Sequence, residues 1–184
     1  MPKVYTSAVV IIPPLQYWGP IQTIRKEYDR QIHRWMPHIN LLYPFRSNLE
    51  YDSLEEKFLE ACSTIEPREI SLNKFRYFNH GHEHFTVWLK PEPMIFLKEV
   101  QLKLLRIVAD CNDVNKHEGG FTPHLSLGQV NGRNKLQRLI KSLELNWTAL
   151  KFTFHEIFFI SRENKKNSIF KIERTLSLKN GYEK

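Results

Sequence analysis

At 184 residues, 41% hydrophobic and 26% charged, the chain is long enough to bury a sizeable core and too apolar to be a disordered tail. Its formal charge of +7 favours phosphate-bearing partners, nucleic acid or nucleotide, over cationic ligands. Two cysteines, Cys62 and Cys111, exclude a disulfide framework and suit a reducing cytoplasmic setting, or a nuclear one.

The elements follow in chain order. Residues 4–12 are rich in β-branched side chains and stop at Pro13-Pro14, which predicts a strand. This is also the longest apolar run near the start. Its prolines and its length rule out a membrane span, and no signal-peptide pattern precedes it. Ile21, Ile24, Tyr28 and Ile32 recur at helical spacing behind Pro20. Residues 38–45 predict a buried strand, and Asp52 and Ser53 open a helix whose apolar face is Leu54, Phe58, Ala61, Cys62 and Ile65. Strands over 69–78 and 84–90 form a hairpin turning at Asn79-His80-Gly81. Leu97, Val100, Leu104, Ile107 and Val108 mark another helix. Residues 124–130 read as a strand, and Leu136, Leu139, Ile140 and Leu143 as the helix after it. Strands over 151–160 and 169–178 close the chain around a polar turn. The expected fold is α+β, a single domain over 1–184 made of two similar lobes. Two mainly antiparallel sheets, flanked by helices, should enclose a central cleft.

One short pattern occurs twice. "PHINL" carries His38 and "PHLSL" carries His124, each on a strand with one helix before it and one after. This is an internal duplication with an approximate two-fold relation. Side chains alternate along a strand, so His38, Asn40 and Leu42 share one face while Ile39, Leu41, Tyr43 and Phe45 share the other. In the second copy His124, Ser126 and Gly128 share a face, opposite Leu125 and Leu127. Met36 and Thr122, before the prolines, are steered to extended geometry. Two histidines on matching strands suit general acid–base work near neutral pH, and the small polar residues beside them can donate to a phosphoryl group.

The paired His38-Ile39-Asn40-Leu41 and His124-Leu125-Ser126-Leu127 resemble the two His-x-Thr/Ser-x signatures of the two-histidine (2H) phosphoesterases, the 2′-5′ RNA ligase-like and cyclic phosphodiesterase group. "RWMPHINLL" is also similar to the approach to that group's first signature. The resemblance implies a bilobal fold, no cofactor and no metal, and substrates that are RNA ends or nucleotides with a 2′,3′-cyclic phosphate or a 2′-5′ phosphodiester. It makes His38 and His124 the acid–base pair and Asn40 and Ser126 the phosphate donors. Asn40 departs from the family's usual Thr or Ser, which also admits a non-catalytic nucleotide- or RNA-binding module that retains the cleft.

The remaining candidates are weaker. Arg162, directly after "EIFFI", is placed to touch substrate. Arg25 is expected with Lys26 on a solvated helix face, from which it could reach a phosphate. Tyr43 and Phe45 are assigned to core packing. His80, His82 and His84 alternate beside a glycine and are read as exposed rather than as a zinc site. Lys165-Lys166 and residues 133–135 are solvated loops or an electrostatic approach for RNA. Beyond an RNA or nucleotide substrate no partner is implied, neither a membrane nor an obligate protein.

Overall fold

The computed structural model describes residues 2–116 and 119–179. The predicted first strand divides at a turn over Tyr5 and Thr6 into β1 (Lys3–Val4) and β2 (Ser7–Ile11). Helix α1 (Trp18–Tyr28) starts two residues before its proline, and Pro20 lies in the first turn, where its missing N–H is not needed. The strand expected over 38–45 also divides. Pro44 cannot donate to a ladder, so the chain bends into β3 (Ile39–Leu42) and β4 (Phe45–Arg46). Then come α2 (Tyr51–Ser63), the hairpin β5 (Arg68–Asn79) and β6 (His84–Glu92), and α3 (Met94–Leu105). The chain ends with β7 (Leu125–Asn131), α4 (Arg133–Asn146), β8 (Leu150–Phe154), β9 (Glu156–Ser161) and β10 (Lys171–Ser177). The run expected as one strand over 151–160 breaks at His155 because its two parts serve different places: β8 pairs with β5, and β9 pairs with β2 and β10.

The fold is α+β and its ladders are antiparallel, as expected. The strand order is β10-β9-β2-β3-β7-β6-β5-β8, with β1 and β4 forming a separate two-stranded ladder. The two expected sheets are the two halves of this order. They join where β3 meets β7, through the single pair Ile39–Leu125. The duplication is visible in the connectivity, because β2-α1-β3-α2 is echoed by β6-α3-β7-α4. Each motif strand is thus the innermost strand of its half, which brings the two copies together.

One face of the sheet carries the main core. Val9, Ile39, Leu41, Val87, Leu125 and Leu127 are buried there together with Ile21, Phe58, Leu97 and Leu104 from the helical layer. On the other face a smaller cluster, Ala8, Val10, Ile160 and Phe170, is flanked by Trp35, Met36 and Tyr43.

The alternation predicted for the second motif holds only as far as Leu127. Trp88 pairs with Ser126 and Val87 with Gly128, so Leu127 is an extra residue that bulges the strand. Gly128 is therefore turned to the main-core side, not to the face of His124 and Ser126. The tail of α1 lies against it: a Cβ there would sit 2.4 Å from the Tyr28 carbonyl carbon. Close approach of two backbones is what this glycine permits.

Gln101 on α3 is fully buried, and neither its amide nitrogen nor its oxygen finds a hydrogen-bond partner. A buried amide without partners costs about 1–3 kcal/mol. Met has nearly the same shape and helix propensity. Gln101→Met is therefore expected to raise stability by about 1 kcal/mol. The check is a higher urea midpoint at an unchanged slope.

Candidate active site

His38 and His124 each stand one residue before a strand, behind Pro37 and Pro123. The antiparallel pairing of Ile39 with Leu125 fixes what lies beside what. It sets residue 38 alongside 126 and residue 40 alongside 124, so His38, Asn40, His124 and Ser126 form one patch on one face. All four are partly exposed, whereas Ile39, Leu41, Leu125 and Leu127 between them are fully buried. This is the arrangement the alternation predicts.

The two rings are held alike. His38 Nδ1 lies 2.7 Å from the Met36 carbonyl oxygen, and His124 Nδ1 lies 2.7 Å from that of Thr122. A carbonyl only accepts, so Nδ1–H donates in both cases. The reactive lone pair of each neutral ring is consequently on Nε2. Burial, opposed by the Met36 carbonyl, lowers the His38 imidazole to about 4. Arg25 and His124 add to the lowering, and Asp29 opposes it. His38 is therefore neutral at pH 7, with its basic lone pair intact.

Aromatic rings hold both histidines. Trp35 stacks on His38 at 4.5 Å and on Phe170 at 3.7 Å. Across the seam, Phe78 and Trp88 stack at 4.9 Å and pack against His124 at 4.9 and 5.9 Å. None of these rings was singled out in the sequence. Trp88 did carry a signal, since it alternates with Thr86 and Lys90 on the polar side of β6, an unusual place for an indole. Trp35 lies outside any periodic element, and its signal was its place in "RWMPHINLL" ahead of the first motif.

Four placements differ from expectation, those of Arg25, Leu42, Tyr43 and Gly128. Arg25 is not on a solvated face; it is 2% exposed. Its guanidinium donates to Asp29, Gln22 and the Trp35 carbonyl oxygen, and its charge acts on His38. It holds up the wall of the site from behind. Tyr43 is likewise not a residue of the main core. Val9 pairs with Leu42 and Val10 with Asn40, so Leu41 is an extra residue that turns Leu42 into the main core, away from the face of His38 where alternation put it, and turns Tyr43 to the other face, edge-on to Trp35 at 5.3 Å. Phe45 is fully buried in the main core, as expected. The last is Gly128, described above.

Arg162 follows β9 and lies 5.5 Å over the ring of Phe170, so two rings separate it from His38. One terminal nitrogen donates to Ser168 and to the Glu163 carbonyl oxygen, while Nε is buried without a partner. The hairpin histidines go separate ways: His80 bonds Thr86 at 2.9 Å and His84 bonds Asn131 at 2.8 Å. Cys62 and Cys111 are buried free thiols. No helix among the described residues is long and apolar enough to cross a membrane.

The sequence profile of the 2′-5′ RNA ligase superfamily matches residues 13–166. The chain belongs to that superfamily. This agrees with the two-histidine phosphoesterase resemblance of its paired motifs. A protein of Geobacillus kaustophilus (strain HTA426) whose name places it among phosphoesterases is 27% identical over 122 residues, covering 66% of this chain and 67% of its own. Two solved structures show how far the fold itself is shared. TT0787 of Thermus thermophilus aligns with a TM-score of 0.62 at 14% identity, over 96% of this chain and 99% of its own. Escherichia coli LigT complexed with 3′-AMP gives 0.62 at 14% identity, over 97% and 99%.

The low pKa of His38 gives this superfamily member a testable pH dependence. Unfolded, His38 titrates near the ordinary value of about 6.5; folded, it titrates near 4. Between those values the unfolded chain binds more protons. The stability due to this group is thus full above about pH 6.5 and is lost as pH falls toward 4. Urea midpoints taken at about pH 7 and about pH 5 should drop for the wild type, and drop less for His38→Gln. Equal drops in the two proteins would mean that His38 titrates normally in the folded state.

Proposed function

We propose that the chain is a phosphodiesterase acting on RNA ends or nucleotides, on a 2′,3′-cyclic phosphate or a 2′-5′ phosphodiester, by paired histidine acid–base catalysis. The observation that carries this reading is the matched pinning of His38 and His124 through Nδ1, which leaves both Nε2 atoms on the shared face. His38, neutral at working pH, is the base, and His124 in its protonated form serves as the acid. On a cyclic phosphate His38 takes a proton from water as the water oxygen bonds to phosphorus, and His124 gives a proton to the departing ribose oxygen. On a 2′-5′ linkage the base takes the proton of the neighbouring ribose hydroxyl, the acid protonates the leaving 5′ oxygen, and a cyclic phosphate is the product. Asn40 and Ser126 donate to the phosphoryl oxygens. The two imidazoles supply both proton transfers, so the reaction needs no metal. Because each half of the sheet contributes one histidine and one donor, we take the two halves as one functional domain.

Superfamily membership and the crystallisation of LigT with 3′-AMP support a nucleotide-type substrate. The net charge of +7 favours the same class. The test is turnover of a panel of 2′,3′-cyclic nucleotides and 2′-5′ oligonucleotides in EDTA. Undiminished turnover under chelation is expected. Binding of the panel without turnover would instead make the chain a nucleotide- or RNA-binding module, a reading that Asn40 favours because its amide already rests against His38.

A further inference from the structure

Asn40 Nδ2 lies 3.2 Å from His38 Nε2. The direction of this bond follows from the other side of the ring. With Nδ1–H donating to Met36, Nε2 of the neutral ring can only accept, so the amide presents its NH2. Asn40 Oδ1 is left buried with no partner. The resting site thus covers the lone pair that the proposed base must use, and it leaves an acceptor unsatisfied beside it. A serine or threonine here could swing one hydroxyl hydrogen, whereas a carboxamide has a donor end and an acceptor end that exchange only if the whole group turns.

We propose that Asn40 is a positioning residue whose carboxamide turns over with the protonation state of His38, donating to Nε2 of the neutral ring and accepting from Nε2–H once His38 has taken up a proton. This rests on His38 being the base. When the attacking hydroxyl gives its proton to Nε2 and its oxygen bonds to phosphorus, Nε2 becomes a donor. Two donors then face each other across 3.2 Å, which is repulsive. Turning the amide presents Oδ1 to Nε2–H and gives that oxygen a partner. The imidazolium is therefore held by an acceptor as its charge develops and not before, which is where a hydrogen bond accelerates a reaction. The charged and titratable groups facing His38 are Arg25 and Asp29 from α1 and its end, and His124 ahead of β7. Arg25 and Asp29 pair with each other at 2.7 Å, so they bias the ring steadily and do not follow its proton.

The experiment is NMR on the full chain, labelled with nitrogen-15 and free of substrate. The Asn40 side-chain amide and the His38 ring nitrogens are followed together through the His38 titration. One shared midpoint is expected, and an Asn40 amide that stays flat while His38 titrates overturns the proposal. Asn40→Asp provides a second reading nearer neutral pH. A carboxylate can accept from Nε2–H but cannot donate to bare Nε2, so the His38 midpoint should rise by about one pH unit or more. Turnover at neutral pH should fall with it, mainly in kcat, with the acid limb of the rate profile moved up by the same amount. An unmoved midpoint overturns the proposal. The NMR arm uses no substrate, so failure of the phosphodiesterase reading and failure of the turning amide give different results.

Discussion

His38→Ala or His124→Ala alone is expected to lower turnover of a cyclic phosphate or 2′-5′ substrate by ~10²–10⁴-fold. Substrate binding should persist, because the donors Asn40 and Ser126 remain. The size of the effect follows from the geometry. Each ring is fixed by a 2.7 Å bond to the carbonyl two residues earlier, and each is held by packed indole or phenyl rings. An oriented base and an oriented acid are lost separately, but they act in one displacement. The double variant should therefore fall little further than either single one. Circular dichroism and a urea midpoint separate this from unfolding, since both rings lie on the partly exposed face and not in the main core. A double variant with near-native turnover would remove both histidines from the mechanism.

The second large effect is on stability. Gly128→Ala should cost about 3 kcal/mol or more. The residue has a φ of +145°, where an L side chain is strained. Its new Cβ would also meet the Tyr28 carbonyl carbon at 2.4 Å and the Tyr28 carbonyl oxygen and Cβ at 2.5 Å. Backbone atoms cannot swing aside as the end of a lysine can. The tail of α1 would have to lift off β7, carrying Asp29 and Arg25 away from the site wall. Gly19→Ala is the control in the same helix: nothing lies within 4 Å of its Cβ position. It should be neutral or stabilise by up to about 1 kcal/mol through the unfolded state. Equal losses for the two variants would mean that the close approach at Gly128 is not what the glycine serves.

The paired motif could be read from the chain because a strand's two-residue period converts spacing into direction. His38 with Asn40, and His124 with Ser126, needed no tertiary information to be placed on common faces. Where the reading failed, a local irregularity had reset that period. The bulge at Leu127 turned Gly128 to the opposite side, and the one at Leu41 did the same to Leu42 and Tyr43. Neither leaves a mark in composition, since Leu127 and Leu41 both suit a strand. The break at His155 was hidden for another reason. Apolar residues precede the His155-Glu156 pair and resume after it, and only the sheet order shows that they belong to different halves. Arg25 was misplaced because a helical arginine is ordinarily solvated. Its burial depends on Asp29 and on the Trp35 carbonyl, partners that come together only when the loop after α1 folds back.

The stacking of Trp35 on His38 at 4.5 Å, with 16° between the ring planes, also has an optical side. An excited indole passes an electron readily to an imidazolium and poorly to a neutral imidazole, so its emission falls when the neighbouring ring is protonated. Trp88, 5.9 Å from His124, stands in the same relation to the other half of the pair. The chain has four tryptophans, and the other two are occupied elsewhere: Trp18 donates to the Pro13 carbonyl oxygen and Trp147 to that of Leu72. Each histidine thus has its own fluorophore. In Trp88→Phe the pH dependence of emission follows the proton on His38, and in Trp35→Phe it follows the proton on His124. The charge state of the base and of the acid can then be watched separately during binding, with no label attached to the protein.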